Sequence, residues 1–122
     1  MGDKKFLLEQ ISEDDGIAWL TLNRPDKKNA LSKALMAEMI DSLKELREND
    51  HIRCIVTTGA GDSFCSGLDL YDLRESWQRK RRWEEGGTAR EIVTLLRSCP
   101  QVTIAAVNGY CLGGGLVLVK DR

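Results

Sequence analysis

Three consecutive glycines, Gly113-Gly114-Gly115, end the segment Asn108-Gly109-Tyr110-Cys111-Leu112-Gly113-Gly114-Gly115. A backbone without Cβ atoms lets its N–H groups approach a ligand oxygen closely. The apolar residues 116–119 that follow can open a helix. A helix N-terminus adds unpaired donors and partial positive charge. This is a candidate anion or oxyanion site, with an ordinary structural turn as the plain alternative. A second glycine-rich segment, Gly59-Ala60-Gly61-Asp62-Ser63-Phe64-Cys65-Ser66-Gly67-Leu68-Asp69-Leu70, follows the strand-like run 53–58. A third piece, without glycine, is Leu22-Asn23-Arg24-Pro25-Asp26-Lys27-Lys28-Asn29-Ala30-Leu31, between a strand and an amphipathic helix.

Composition limits what these loops can serve. The 122 residues carry 18 basic and 19 acidic side chains, a formal net charge of −1. That balance gives no electrostatic reason to expect nucleic acid. Hydrophobic residues make up 42% and charged residues 30%, the balance of a soluble globular chain. The length suits one small domain, residues 1–122, with a modest core. No apolar run reaches transmembrane length, and Met1-Gly2-Asp3-Lys4-Lys5 lacks the apolar region of a leader. Phe6 stands where a myristoylation motif needs Ser or Thr. Cys54, Cys65, Cys99 and Cys111 show no C-x-x-C pairing and read as reduced, core-type thiols of a cytoplasmic protein. His51 is the only histidine, so no metal site is expected.

The elements that must hold the loops are legible in outline. Residues 6–11 and 17–22 form a hairpin around the turn Glu13-Asp14-Asp15-Gly16. In its second strand Ile17, Trp19 and Thr21 share one face and Ala18, Leu20 and Leu22 the other, and both faces read as largely buried. Leu35, Met36, Met39, Ile40, Leu43 and Leu46 recur at helical spacing over residues 32–49, with Ser32 placed to cap the helix. Strand 52–58 follows. Thr88-Ala89-Arg90-Glu91 has the form of a capping box. It would open a second helix with an inner stripe of Ile92, Val93, Leu95, Leu96 and Cys99, stopped by Pro100. Residues 102–107 read as a buried strand. The alternation predicts an α/β fold with parallel pairings after the hairpin.

NRPDKKNAL, TGAGDSFCSGLDL and NGYCLGGGL, in this order and spacing, resemble the amino-terminal half of the crotonase (enoyl-CoA hydratase/isomerase) superfamily over nearly the whole chain. The resemblance implies a ββα spiral core, here incomplete at the C-terminus, and a trimeric or other homo-oligomeric assembly. It implies an acyl-CoA thioester substrate, with coenzyme A as part of that substrate and no separate cofactor. Two backbone N–H groups would hold the thioester oxygen as enolate charge develops on it, which favours the transition state over the ground state. Carried over residue by residue, the donors are the N–H groups of Leu68 and Gly114. Substrate binding falls to Ser66, Gly67, Asp69 and Leu70, with Lys28 and Ala30 from the upstream loop. Each polar candidate has a plainer reading. Lys28 is equally a solvated loop lysine, Asp69 a helix cap, and Arg79-Lys80-Arg81-Arg82 either steers polyanionic CoA or is a solvated face.

Departures from the pattern matter as much. Hydratases of the superfamily place a glutamate two residues after the glycine triplet, where this chain has Val117. Hydration needs a base for water and an acid for the α-carbon, and no carboxylate stands at that spacing. A catalytically inactive acyl-CoA-binding or interaction module is therefore the alternative to a hydratase or isomerase. Two other chemistries fail on spacing. Phe64 replaces the third glycine of a dinucleotide fingerprint, and it also breaks a nucleophile elbow around Ser66. His51 follows a helix end as a solvent-facing loop residue.

Overall fold

A computed structural model of the chain describes residues 5–72, 74, 82–113, 115, 118 and 119, with residues 82–88 through their backbone. Strands β1 (Leu7–Ser12) and β2 (Ile17–Leu22) pair antiparallel, with Leu7 opposite Leu22 and Ser12 opposite Ile17. Gly16 turns the hairpin at φ 72°, a left-handed conformation that costs glycine little. After a 3-10 turn at Pro25–Lys27, helix α1 spans Lys33–Arg47. The Ser32 side chain accepts a hydrogen bond from the Leu35 N–H at 3.1 Å and caps it as expected.

Strand β3 (Cys54–Gly59) then pairs parallel to β2, placing Ile55 beside Ala18 and Thr57 beside Leu20. Strand β4 (Ser63–Cys65) leaves this sheet. Helix α2 (Arg82–Ser98) returns the chain to β5 (Val102–Ala105), parallel to β3. Strand β6 (Tyr110–Cys111) pairs parallel with β4. Among the described residues there is thus a four-stranded sheet of order β1-β2-β3-β5 and a two-stranded sheet β4-β6.

The core lies between the larger sheet and the two helices. Leu7, Ala18, Leu20, Leu22 and Ile55 meet Leu35, Met36, Met39 and Leu43 of α1 and Ile92, Leu95 and Leu96 of α2. Phe64 of β4 is buried in the same cluster. Burying such side chains stabilises by roughly 1.5–3 kcal/mol each.

Three expectations need correction. The second face of β2 is not largely buried: Trp19 is 40% exposed, beside Leu8 at 48%. Both helices pack on the opposite face, so alternate residues remain in contact with water. Strand 102–107 is likewise no buried core strand. It ends at Ala105, and Val102 and Ile104 are 64% and 45% exposed. Among the described residues its one strand neighbour is β3, and its outward residues lie on the uncovered face. Finally, α2 begins six residues before Thr88, so that threonine has helical backbone and is not a cap. Extending a nucleated helix is cheap, and each of Gly86 and Gly87 costs it only about 1 kcal/mol.

Candidate active site

The three loops converge. Asn29, wholly buried and left-handed at φ 56°, accepts from the Arg24 N–H through Oδ1 at 2.8 Å. Its Nδ2 donates to the carbonyls of Ala60 and Ser63 at 3.0 and 2.8 Å. Asn108 makes a matching clamp from the other side. Its Nδ2 donates to Gly59, Gly61 and Ser63 carbonyls, and its Oδ1 accepts from the Gly59 N–H at 3.1 Å. The two asparagines fix the loop between β3 and β4 against both of its neighbours.

Glycine serves mainly close packing here. A Cβ on Gly59 would collide with the Ser63 carbonyl, on Gly109 with the Asp62 carbonyl, and on Gly115 with the Cys65 backbone. The Leu112 N–H donates to the Cys65 carbonyl at 3.0 Å, so the last loop is tied to the end of β4. Gly113, at φ 49°, faces the Cα of Gly67, 3.9 Å from where its own Cβ would lie.

Leu68 sits where these constraints meet. It forms an isolated parallel bridge with Leu31. The Leu31 N–H donates to the Gly67 carbonyl at 2.7 Å, and the Asp69 N–H donates to the Leu31 carbonyl at 3.0 Å. In a parallel ladder those bonds use the groups flanking Leu68, so its own N–H is directed away from Leu31. Among the described residues that N–H has no hydrogen-bond partner. The Gly115 N–H, by contrast, is spent on the Leu112 carbonyl at 2.8 Å. Gly114 lies outside the described residues, as do Leu73, Val117 and residues 75–81, which include Arg79, Lys80 and Arg81.

A cavity of about 670 Å³ opens beside Leu68. Of the residues singled out from sequence it takes Ala30, Ser66, Leu68, Asp69 and Leu70 into its wall. Arg24, Lys27, Ser32, Tyr71 and Asp72 complete the lining among the described residues. Lys28 is not part of it. Its ammonium bonds both carboxylate oxygens of Asp62 at 3.2 and 3.0 Å and lies 5.5 Å from the Tyr110 ring centre. The hydrogen bond and charge of Lys28, with the Ser63 hydroxyl, hold Asp62 below the usual carboxylate range. The cation in the lining besides Arg24 is therefore Lys27. Its sequence neighbour Lys28 gives no local signal that would separate the two.

Asp69 does what its helix-capping reading expects, and more. Oδ1 accepts from the Tyr71 and Asp72 N–H groups at 2.9 and 3.1 Å, while Oδ2 lies 3.1 Å from Arg24 Nη1. Burial pushes this carboxyl up, but the Asp72 N–H, the Arg24 guanidinium and the Tyr71 N–H outweigh it and hold it below its ordinary value. Asp72 in turn accepts from the Lys33 N–H at 2.8 Å, at the start of α1. Arg24 went unassigned in the sequence, although it stands inside a quoted motif, because its partner lies far along the chain.

Burial pushes the Cys65 thiol up to about 11, with nearby Cys111 adding to the rise. Cys65 is thus protonated at neutral pH and a poor nucleophile. All four cysteines are free thiols. No group of three or more potential ligands is placed to hold a metal among the described residues. No described helix is long and apolar enough to cross a membrane.

The sequence matches the enoyl-CoA hydratase/isomerase family model over residues 12–120. It is 40% identical over 113 residues to a hydroxycinnamoyl-CoA hydratase-lyase of Pseudomonas fluorescens, covering 87% of this chain and 40% of that protein. It is 33% identical over 125 residues to the 1,2-epoxyphenylacetyl-CoA isomerase of Escherichia coli K12, covering 93% of this chain and 44% of that protein. An enoyl-CoA hydratase structure from Bacillus anthracis superposes with a TM-score of 0.83 at 29% identity, over 96% of this chain and 45% of that one. The chain spans about two fifths of the length of the curated relatives it matches. In sequence and in the course of its backbone, the chain belongs to the enoyl-CoA hydratase/isomerase family of the crotonase superfamily.

Proposed function

We propose that the cavity beside Leu68 binds an acyl-CoA thioester and that the Leu68 N–H donates to its carbonyl oxygen, in an enzyme of the enoyl-CoA hydratase/isomerase type. The observation that carries this reading is the Leu68 N–H, without a partner among the described residues, at the wall of the 670 Å³ cavity. A donor already fixed in place needs no reorganisation when negative charge develops on that oxygen. Gly114 is the second donor in this reading, and Ser66, Ala30 and Leu70 line the path of the bound thioester. Coenzyme A enters as part of the substrate. In this reading Lys27 meets its phosphates, and Lys28 does so only on leaving Asp62. The reading carries with it a homo-oligomer, a trimer in particular, in the cytoplasm.

One observation favours a second reading, a module that binds acyl-CoA without turning it over. The carboxylates lining the cavity, Asp69 and Asp72, are both engaged by backbone N–H groups, and Asp69 also by Arg24. Asp69 has both oxygens engaged, and Asp72 has one of its two bound at the start of α1. The two readings part on crotonyl-CoA. Hydration seen as loss of the enoyl absorbance supports the enzyme. Saturable binding without turnover supports the module. Failure to bind any acyl-CoA removes both.

A further inference from the structure

Arg24 connects two loops through one nitrogen. Nη1 donates to the Ala30 carbonyl at 2.7 Å and lies 3.1 Å from Asp69 Oδ2. Ala30 precedes Leu31 and Asp69 follows Leu68, the two residues of the isolated bridge. The guanidinium thus spans the same pair of strands that the Leu31 hydrogen bonds join, one residue to the side. Both partners are mostly withdrawn from water, with side chains 14% and 13% exposed. The guanidinium also lies 5.9 Å from the Phe6 ring centre at the entrance to β1. A carboxylate that served only as a turn cap would need no cation on its second oxygen.

We infer that the Arg24–Asp69 ion pair is a positioning device that aims the Leu68 N–H into the cavity. Asp69 acts through Leu68, its neighbour in the chain. With Oδ1 fixed by two N–H groups and Oδ2 by Arg24, the peptide plane between Gly67 and Leu68 is held from its C-terminal side. The Gly67 carbonyl, bonded to Leu31, holds it from the other. Gly67 itself, at φ 104°, has backbone freedom that only glycine enjoys. Without the pair, this plane is the place where the loop can swivel. A donor misplaced by about 1 Å costs on the order of a hundredfold in rate where its aim matters. The inference rests on the proposed oxyanion role of Leu68. It adds that a charged pair in the cavity wall, itself no oxyanion donor, sets that donor's direction.

The test compares butyryl-CoA with S-butyl-CoA, a thioether that keeps the coenzyme and chain but has no carbonyl oxygen. Calorimetric titration of the full chain gives the affinity ratio of the two. The infrared carbonyl stretch of bound [1-13C]butyryl-CoA reports how strongly the oxygen is held. Asp69→Asn keeps an oxygen for the Tyr71 and Asp72 N–H groups and removes the charge facing Arg24. Arg24→Lys keeps the charge but cannot bridge both oxygens in the same geometry. Lys44→Ala, which breaks the exposed Lys44–Glu91 pair, is the control.

The wild-type chain should prefer the thioester by about tenfold, the worth of one good hydrogen bond. In Asp69→Asn that preference should fall to near unity, and the carbonyl stretch should return toward its free value. Affinity for the thioether should stay within about twofold, with Arg24→Lys between the two and Lys44→Ala like wild type. If Asp69→Asn does not fold, Arg24→Lys carries the same comparison. Variants that keep both the preference and the stretch overturn the inference and leave the oxyanion reading intact. So does an equal loss of affinity for both ligands, which would mark Asp69 as a general structural or coenzyme contact. A wild-type chain that binds the coenzyme but ignores the carbonyl removes the oxyanion reading and the inference with it.

Discussion

Asn29 shows how much one side chain can hold. It is buried, left-handed, and satisfies one N–H and two carbonyls in loops on either side. Asparagine is among the few residues with a side chain that tolerate this backbone region readily. Asn29→Ala would strand the Arg24 N–H and the Ala60 carbonyl at about 1–3 kcal/mol for each that water cannot reach, besides the cost of the backbone, while the Ser63 carbonyl keeps Asn108. Urea unfolding should show a loss of at least about 3 kcal/mol. A loss below about 1 kcal/mol would mean that water replaces the clamp. The motif containing Asn29 was legible in the sequence, but the clamp itself was not. Neither were the Arg24–Asp69 pair and the division of labour between Lys27 and Lys28. Each depends on a partner many residues away, and the type of a residue says nothing about which distant carbonyl or carboxylate will meet it.

Between elements, the sequence was most readable where one pattern had one outcome. The hairpin, the Ser32 cap and the inner stripe of α1 follow directly from local periodicity and turn chemistry. Burial of the sheet faces does not, since alternation in β2 and β5 cannot tell whether a second layer covers them. The placement of both helices on one face makes a sharp contrast between neighbouring strands. Ile55 of β3 is fully buried and Ile104 of β5 is 45% exposed. Ile55→Ala should cost about 2–5 kcal/mol in thermal or urea unfolding. Ile104→Ala should cost about 1 kcal/mol or less. Comparable losses at both positions would show that something covers the open face in solution. The start of α2 was misread for a related reason. A capping box is a local preference, and a packed stripe further along can carry the helix through it.

At the scale of the whole molecule, the pairing of β4 with β6 has a consequence in time. Ser63 pairs with Tyr110, and Cys65 with Cys111, across the whole of α2 and β5 in the chain. Contacts so distant in sequence pay their loop-closure entropy before they return any stabilisation, and they form late. The hairpin and α1 need no such wait. After dilution from urea, the far-ultraviolet dichroism of helix and hairpin should recover first. The capacity to bind butyryl-CoA, sampled by delayed mixing, should follow as a slower phase. Simultaneous recovery would mean that the loops are ordered early and independently. The slower course means that a newly made chain passes through an interval in which it is folded by most measures yet lacks a finished site, because β4 and β6, which bring the last glycine loop beside Leu68, are the last to find one another.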